Sequence, residues 1–196
     1  MYKLGITGGI GSGKSIVCNY LSNKGASVFD SDKESKELLL HNNSLQKKII
    51  NTFGSHVTYN NELDFSKLAS YVFQKKSLQK KLNSIIWPKV FELIKIAAIK
   101  EKKNQTKLFI VEAALLIEAN YNDYFDSILL ITASEPTRIK RVLKRNNIPE
   151  EQIQQRIKLQ MSDEEKKLYA QNIIDNNGSF ENLYQKINIF YEGLNF

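Results

Sequence analysis

Apolar and polar positions along this chain follow two periods, and each change of period marks an element. Leu4 and Ile6 open a short apolar run of strand character, and Ile16, Val17, Tyr20 and Leu21 follow at helical spacing. That first helix should stop near Asn23-Lys24-Gly25, with Gly25 as its terminating residue, and a strand is predicted over Ser27 to Asp30. From Lys33 to about Lys103 the pattern is mostly helical, starting with a helix over Lys33 to Leu40, and no further strand pattern interrupts it. Gly54 and Tyr59-Asn60-Asn61 mark a turn there, and Trp87-Pro88 predicts a kink or a helix start. Leu108 to Val111 reads as a buried strand ending in Glu112, and Ile128 to Ile131 as another. Helices are expected after Glu135-Pro136, over Glu150 to Gln160 and over Glu164 to Ala170. Asn172 to Asp175 is the last predicted strand, and a terminal helix from Phe180 to Tyr191 should turn Leu183, Ile187 and Phe190 inward. Strands that alternate with helices in this way predict an α/β fold.

Between the first strand and helix lies Gly8-Gly9-Ile10-Gly11-Ser12-Gly13-Lys14-Ser15, which fits Gly-x-x-x-x-Gly-Lys-[Ser/Thr] without mismatch. Glycines there let successive N–H groups curl around a polyphosphate, and the helix N-terminus adds its partial positive charge. Lys14 supplies a mobile charge for the β and γ phosphates, and the Ser15 hydroxyl is placed for Mg²⁺. Binding of a nucleoside triphosphate follows.

Composition narrows the setting. The 196 residues suit one α/β domain with a sizeable core, and 42% apolar with 25% charged residues is the balance of a globular protein. No apolar run approaches the roughly eighteen residues of a membrane span, and the first strand begins too early for a signal segment, so a cytoplasmic protein is expected. Net charge of +7 suits a handler of polyanions, although lysines spread by a coding bias would give the same number. Cys18, the single cysteine, reads as a small core side chain, and His41 and His56 stand apart from any zinc-ligand spacing.

Acidic and basic positions then carry candidate chemistry. Asp30 and Asp32 leave the second strand two residues apart; one could accept a proton from an acceptor hydroxyl while the other orders water around Mg²⁺. Asp32 could equally cap the helix that follows, a duty compatible with catalysis. Glu112 stands where a Walker B acid would, and Glu118 reads as surface or structural. Arg138, Arg141 and Arg145 fall on one helical face and, with Arg156, suggest a helical lid that clamps phosphates. Phe53, Tyr59, Phe65, Tyr71 and Phe73 could line an acceptor pocket, though core positions are expected for most of them.

With these residues assembled, the chain resembles the dephospho-CoA kinase family over nearly its whole length. The resemblance rests on Leu4 to Ser15, Asp30-Ser31-Asp32, Leu115-Leu116-Ile117-Glu118, the series Arg141, Arg145, Arg156-Ile157 and Gln160, and Ile174 to Gly178. It implies ATP- and Mg²⁺-dependent phosphorylation of the ribose 3′-hydroxyl of dephospho-CoA. It also implies a P-loop kinase fold like that of nucleoside monophosphate kinases, with a five-stranded parallel sheet flanked by helices. On this reading one domain spans 1–196. Its core covers about 1–32, 104–135 and 171–196, a helical acceptor-binding insertion about 33–103 and a lid about 136–170. Asp32 would be the base, with Lys14 and Arg141 as its catalytic partners. Gly11, Ser12, Gly13, Lys14, Ser15 and Ile16 would form the ATP loop, Arg141 would lie on the transferring phosphate, and Asn176 would approach the adenine. The family's usual His-Pro is Trp87-Pro88 here, its Pro before Leu-Leu is Ala114, and its usual Thr is Ile16. A P-loop kinase for another small acceptor is the alternative. A nucleotide switch lacks an Asn-Lys-x-Asp reader, and a nucleic-acid binder lacks a recognition motif. A monomer without membrane or nucleic-acid partners is expected.

Overall fold

A computed structural model describes residues 1–145 and 149–195; positions 146–148 of the expected lid and Phe196 of the expected core lie outside them. Two compact units emerge, Met1–Asp30 with Ile96–Phe196, and Ser31–Lys95.

The first unit is organised by a parallel sheet. Strands β1 (Tyr2–Thr7), β2 (Ser27–Asp30), β5 (Leu108–Glu112), β6 (Ser127–Thr132) and β7 (Asn172–Asp175) lie in the order β2-β5-β1-β6-β7. Each neighbouring pair is parallel, as strands joined through crossover helices must be. Register aligns the carboxyl ends: Ile6 and Asp30 both pair with Glu112, and Thr132 pairs with Asp175. In open α/β sheets ligands gather beyond such ends.

Helix α1 (Lys14–Ser22) and helix α9 (Phe180–Glu192) cover one face. Val17, Cys18 and Leu21 meet Leu183 and Ile187 over Leu4, Ile6, Ile110, Leu129, Ile131 and Ile174. Each such aliphatic side chain removed from water contributes about 1.5–3 kcal/mol. Leu116, Ile117 and Ile128 form a smaller cluster with Ala113, Phe125, Met161 and Ala170. Gly5 faces Leu116 and Phe125, where an added Cβ would stand 2.9 Å from the Leu116 methyl. Helices α6 (Glu135–Arg145), α7 (Glu150–Leu159) and α8 (Asp163–Lys167) fill the segment before β7. Helix α8 is shorter than the predicted Glu164 to Ala170, and it starts at a capping box between Ser162 and Glu165.

The second unit holds α2 (Ser31–His41), α3 (Asn43–Phe53), a short hairpin of β3 (Thr58–Tyr59) and β4 (Glu62–Leu63), α4 (Phe65–Val72) and the start of α5 (Lys76–Lys103). Leu45, Ile49, Phe53, Val57, Leu68 and Val72 are buried. Asn42 caps α3 by accepting from the Leu45 N–H at 2.8 Å, and Asp64 caps α4 through Ser66 and Lys67.

Four expectations change here. Helix α2 begins at Ser31, so Asp32 lies in its first turn rather than capping it. The hairpin replaces the expected absence of strands, with Asn60 at φ 48° and Asn61 at φ 64° in the left-handed pair that joins closely spaced strands. Pro88 stands inside α5 rather than starting a helix, because long apolar runs on either side of it hold one continuous element. Of the five aromatic residues, Phe53 is buried while Tyr59 and Phe65 are exposed, so the expected core assignment fails for those two. Tyr71 is half-buried, stacked on His56 at 4.6 Å.

Among the described residues no helix is long and apolar enough to cross a membrane.

Candidate active site

The loop between β1 and α1 closes on itself through its own backbone. The Ser12 N–H donates to the Gly9 carbonyl at 3.1 Å, and the Ile16 N–H to the Gly13 carbonyl at 3.0 Å. Gly13, at φ 102°, occupies the N-cap of α1, and an added Cβ would lie 2.2 Å from the Asn176 amide nitrogen. The N–H groups of Gly11, Gly13, Lys14 and Ser15 donate to no described residue. They leave an open concavity of donors at a helix N-terminus. The Lys14 ammonium folds back to the Gly8 carbonyl at 3.0 Å and is almost fully buried.

Beside the loop stands Glu112. The Ser15 hydroxyl donates to its Oε1 at 2.9 Å, and the Cys18 thiol, one helical turn on, donates to the same carboxylate. Burial, reinforced by the Glu112 charge, pushes the Cys18 thiol far above its ordinary range, so it stays an S–H donor. A hydroxyl and a carboxylate are the hard oxygen donors that Mg²⁺ takes, usually one or two per site with substrate phosphates completing the shell.

Three side chains arrive from the far end of the sequence. The Asn176 Nδ2 donates to the Ser12 carbonyl at 2.8 Å, and Arg141 Nη2 donates to the Asn176 carbonyl at 2.9 Å. Arg141 Nη1 is buried and meets no acceptor among the described residues. Gln160, at the C-cap of α7, accepts from the Ile10 N–H at 3.0 Å. Arg138 reaches over Gly9, where an added Cβ would fall 1.9 Å from its Nη1, while Arg145 is exposed. The expected arginine stripe is therefore divided: Arg138 meets the loop, Arg141 reaches it only through Asn176, and Arg145 is exposed.

Behind this face Lys166, with no solvent exposure, donates to the Ala114 carbonyl at 2.6 Å and pairs with Glu118 at 3.1 Å. Burial pulls its ammonium below the ordinary lysine range against the opposing pull of Glu118, and the nearby Lys14 charge adds to the lowering. Glu118 also accepts from the Met161 N–H at 2.9 Å, so its expected structural role holds. Burial raises the Asp163 carboxyl, opposed by Arg138, Lys166 and Lys167.

The structure thus brings Gly11, Ser12, Gly13, Lys14, Ser15, Ile16, Arg141 and Asn176 to one place, together with Glu112. The Asn176 side chain is committed to the loop and to Arg141. Asp32 belongs to the other compact unit, following Ser31 two residues after the end of β2. Sequence reasoning overlooked the Lys166 pairing and the Gln160 contact with Ile10. No local pattern links residues separated by 48 and 150 positions. A lysine embedded in a return segment rich in acids was the single available hint.

Comparison with known proteins agrees with this geometry. The family model described as dephospho-CoA kinase matches residues 2–182. A dephospho-CoA kinase of Fusobacterium nucleatum is 38% identical over 190 residues, covering 96% of both chains. One from Salinibacter ruber is 35% identical, covering 95% of this chain and 94% of its own. Among solved structures, a dephospho-CoA kinase from Campylobacter jejuni superposes with a TM-score of 0.65 at 25% identity, covering 97% of this chain and 95% of that one. A shikimate kinase from Acinetobacter baumannii, at 16% identity and a TM-score of 0.51, shares the fold.

Proposed function

The chain belongs to the dephospho-CoA kinase family, and from that premise we propose how its residues divide the work of ATP-dependent phosphorylation of dephospho-CoA. The γ-phosphoryl group of ATP passes to the 3′-hydroxyl of the acceptor ribose, giving coenzyme A and ADP. The observation that supports the division best is the open nest of Gly11, Gly13, Lys14 and Ser15 amides under a buried lysine. These donors hold the donor's phosphates without reorganising, which is how phosphoryl transfer is catalysed in the absence of covalent chemistry.

Lys14 leaves the Gly8 carbonyl for the β and γ oxygens. The Ser15 hydroxyl would hold Mg²⁺ directly, and Glu112, which accepts from that hydroxyl at 2.9 Å, would hold it through water. Held there, a divalent cation would supply positive charge that offsets the phosphates. Asp32, in the first turn of α2, accepts the proton of the ribose hydroxyl. Arg141, steadied by Asn176, turns its unmatched Nη1 to the transferring phosphoryl group, and Asn176 borders the nucleotide's base. The helical unit provides the acceptor-binding part and α6 to α8 the lid of one kinase domain, acting as a cytoplasmic monomer.

Coupled ADP release tests this assignment. With Mg²⁺ and ATP, dephospho-CoA should release ADP and gain one phosphoryl group by mass, while AMP, CMP and shikimate should not. Equal turnover of a nucleoside monophosphate would remove the acceptor assignment and leave a kinase.

A further inference from the structure

Ile10 differs from its neighbours in the phosphate loop. The Gly11, Gly13, Lys14 and Ser15 amides are open, whereas its own N–H is closed by the side-chain carbonyl of a residue 150 positions away, Gln160. A neutral amide oxygen is a modest acceptor, and an N–H bonded to an anionic oxygen is roughly twice as strong.

The surroundings favour such an anion. Arg138 and Gln160 converge over Gly9: an added Cβ there would stand 1.9 Å from Arg138 Nη1 and 3.6 Å from Gln160 Oε1. The Arg138 guanidinium hydrogen-bonds no described residue, and its Nε is buried with no partner among them. A guanidinium carries five donors and no acceptor; the Asp163 carboxylate acts on Arg138 through its charge, but the buried Nε without a hydrogen-bond acceptor still costs stability. One oxygen placed above Gly9 would satisfy the Ile10 N–H and Arg138 together.

The backbone of Gln160 is meanwhile fastened on both sides. Its N–H donates to the Ile157 carbonyl at 3.2 Å, and the next N–H, of Met161, donates to Glu118 at 2.9 Å. Glu118 is itself fixed by the buried Lys166. The side chain can therefore leave Ile10 by bond rotation while α7 and the return segment stay in place.

We propose that Gln160 is a stand-in acceptor, holding the Ile10 N–H until a phosphate oxygen of the donor nucleotide displaces it, and so setting affinity for the triphosphate. This rests on the phosphate-binding role of the loop given above. Breaking one neutral hydrogen bond is the cost of entry, so removing it should favour binding by about two- to tenfold.

The test compares the intact protein with Gln160→Met, which keeps the length and loses the acceptor, by calorimetry with MgADP and a non-hydrolysable MgATP analogue. The variant should bind the analogue about two- to tenfold more tightly. In amide spectra the Ile10 resonance should differ between the two free proteins and coincide when both are saturated with the analogue. Unchanged or weaker analogue binding by Gln160→Met would overturn the proposal, making Gln160 a permanent tie or a phosphate ligand. If the unaltered protein bound neither nucleotide, the phosphate-loop reading itself would fall instead. Should Gln160→Met fold poorly, Gln160→Glu serves: its carboxylate holds the N–H more firmly and repels phosphate, so analogue binding should weaken at least tenfold, and unaltered binding would overturn the proposal.

Discussion

The two compact units hold themselves together by different means. In the sheet unit, polar side chains reach across the sequence to backbone groups: Asn176 to Ser12, Gln160 to Ile10, Lys166 to Ala114, Arg141 to Asn176. In the helical unit the side-chain hydrogen bonds are mostly local, as Asn42 to Leu45, Asp64 to Ser66 and Lys67 to Thr58 show, with an exposed bond from Lys81 to the Thr52 carbonyl spanning the most sequence, and Ile49, Val57 and Val72 are buried in its apolar packing. Buried polar contacts of long range specify one geometry because an unmatched partner is costly, whereas apolar packing tolerates rearrangement. A site that must hold phosphates to within a fraction of an ångström is built by the first means. The helical unit, proposed above as the acceptor-binding part, can use the second.

The contrast is broken most sharply if the helical unit contributes nothing to the chemistry. Asp32→Asn should lower kcat on the order of 10² to 10⁴ while ATP affinity is kept, and near-normal turnover would reduce Asp32 to a first-turn helix residue. Next in size is the buried pair of the sheet unit. Lys166→Met, which strands Glu118, should cost about 3 kcal/mol in urea unfolding. The pH dependence has a definite sign: with its folded pKa lowered, Lys166 binds fewer protons in the folded than in the unfolded protein. Wild-type stability should therefore rise relative to Lys166→Met as pH climbs from the lowered folded value to the ordinary lysine value of about 10.4. A flat difference would show that the pair carries no such linkage.

Smaller effects sharpen the contrast. Pro88 is exposed inside α5 and denies the Ser84 carbonyl its helical donor, so Pro88→Ala should stabilise the helix by about 1 to 3 kcal/mol, read as a raised unfolding midpoint. Loss of stability would mean that the proline shapes the helix usefully. Ser15→Ala should weaken metal binding about tenfold in the presence of ADP, measured by the resonance of bound Mn²⁺, with the fold intact. Unaltered metal affinity would move the metal site away from Ser15.

Much of the sheet unit was legible because its signals are local. The boundaries of β2 and β7 coincide with the predicted runs, and β5 ends at Glu112 as its apolar run implied. The phosphate loop was legible because its glycines and Lys14 encode a backbone shape. The hairpin at Thr58–Leu63 was not, since strands of two residues are too short for alternation to register. Of the kink or helix start read at Trp87-Pro88, the helix start is absent, because burial of Ile85, Ile86, Val90 and Ile94 outweighs one missing hydrogen bond. The division among Arg138, Arg141 and Arg145 depends on where Gly9 and Asn176 lie, which no helical periodicity contains.

The most direct measurement follows the loop amides during nucleotide titration. On saturation with MgADP, the N–H resonances of Gly11, Gly13, Lys14 and Ser15 should move strongly downfield together, as donors taking charged oxygens do. If MgADP bound and those four resonances stayed where they were, the phosphates would lie elsewhere, and the glycine loop would not be the donor site of this kinase.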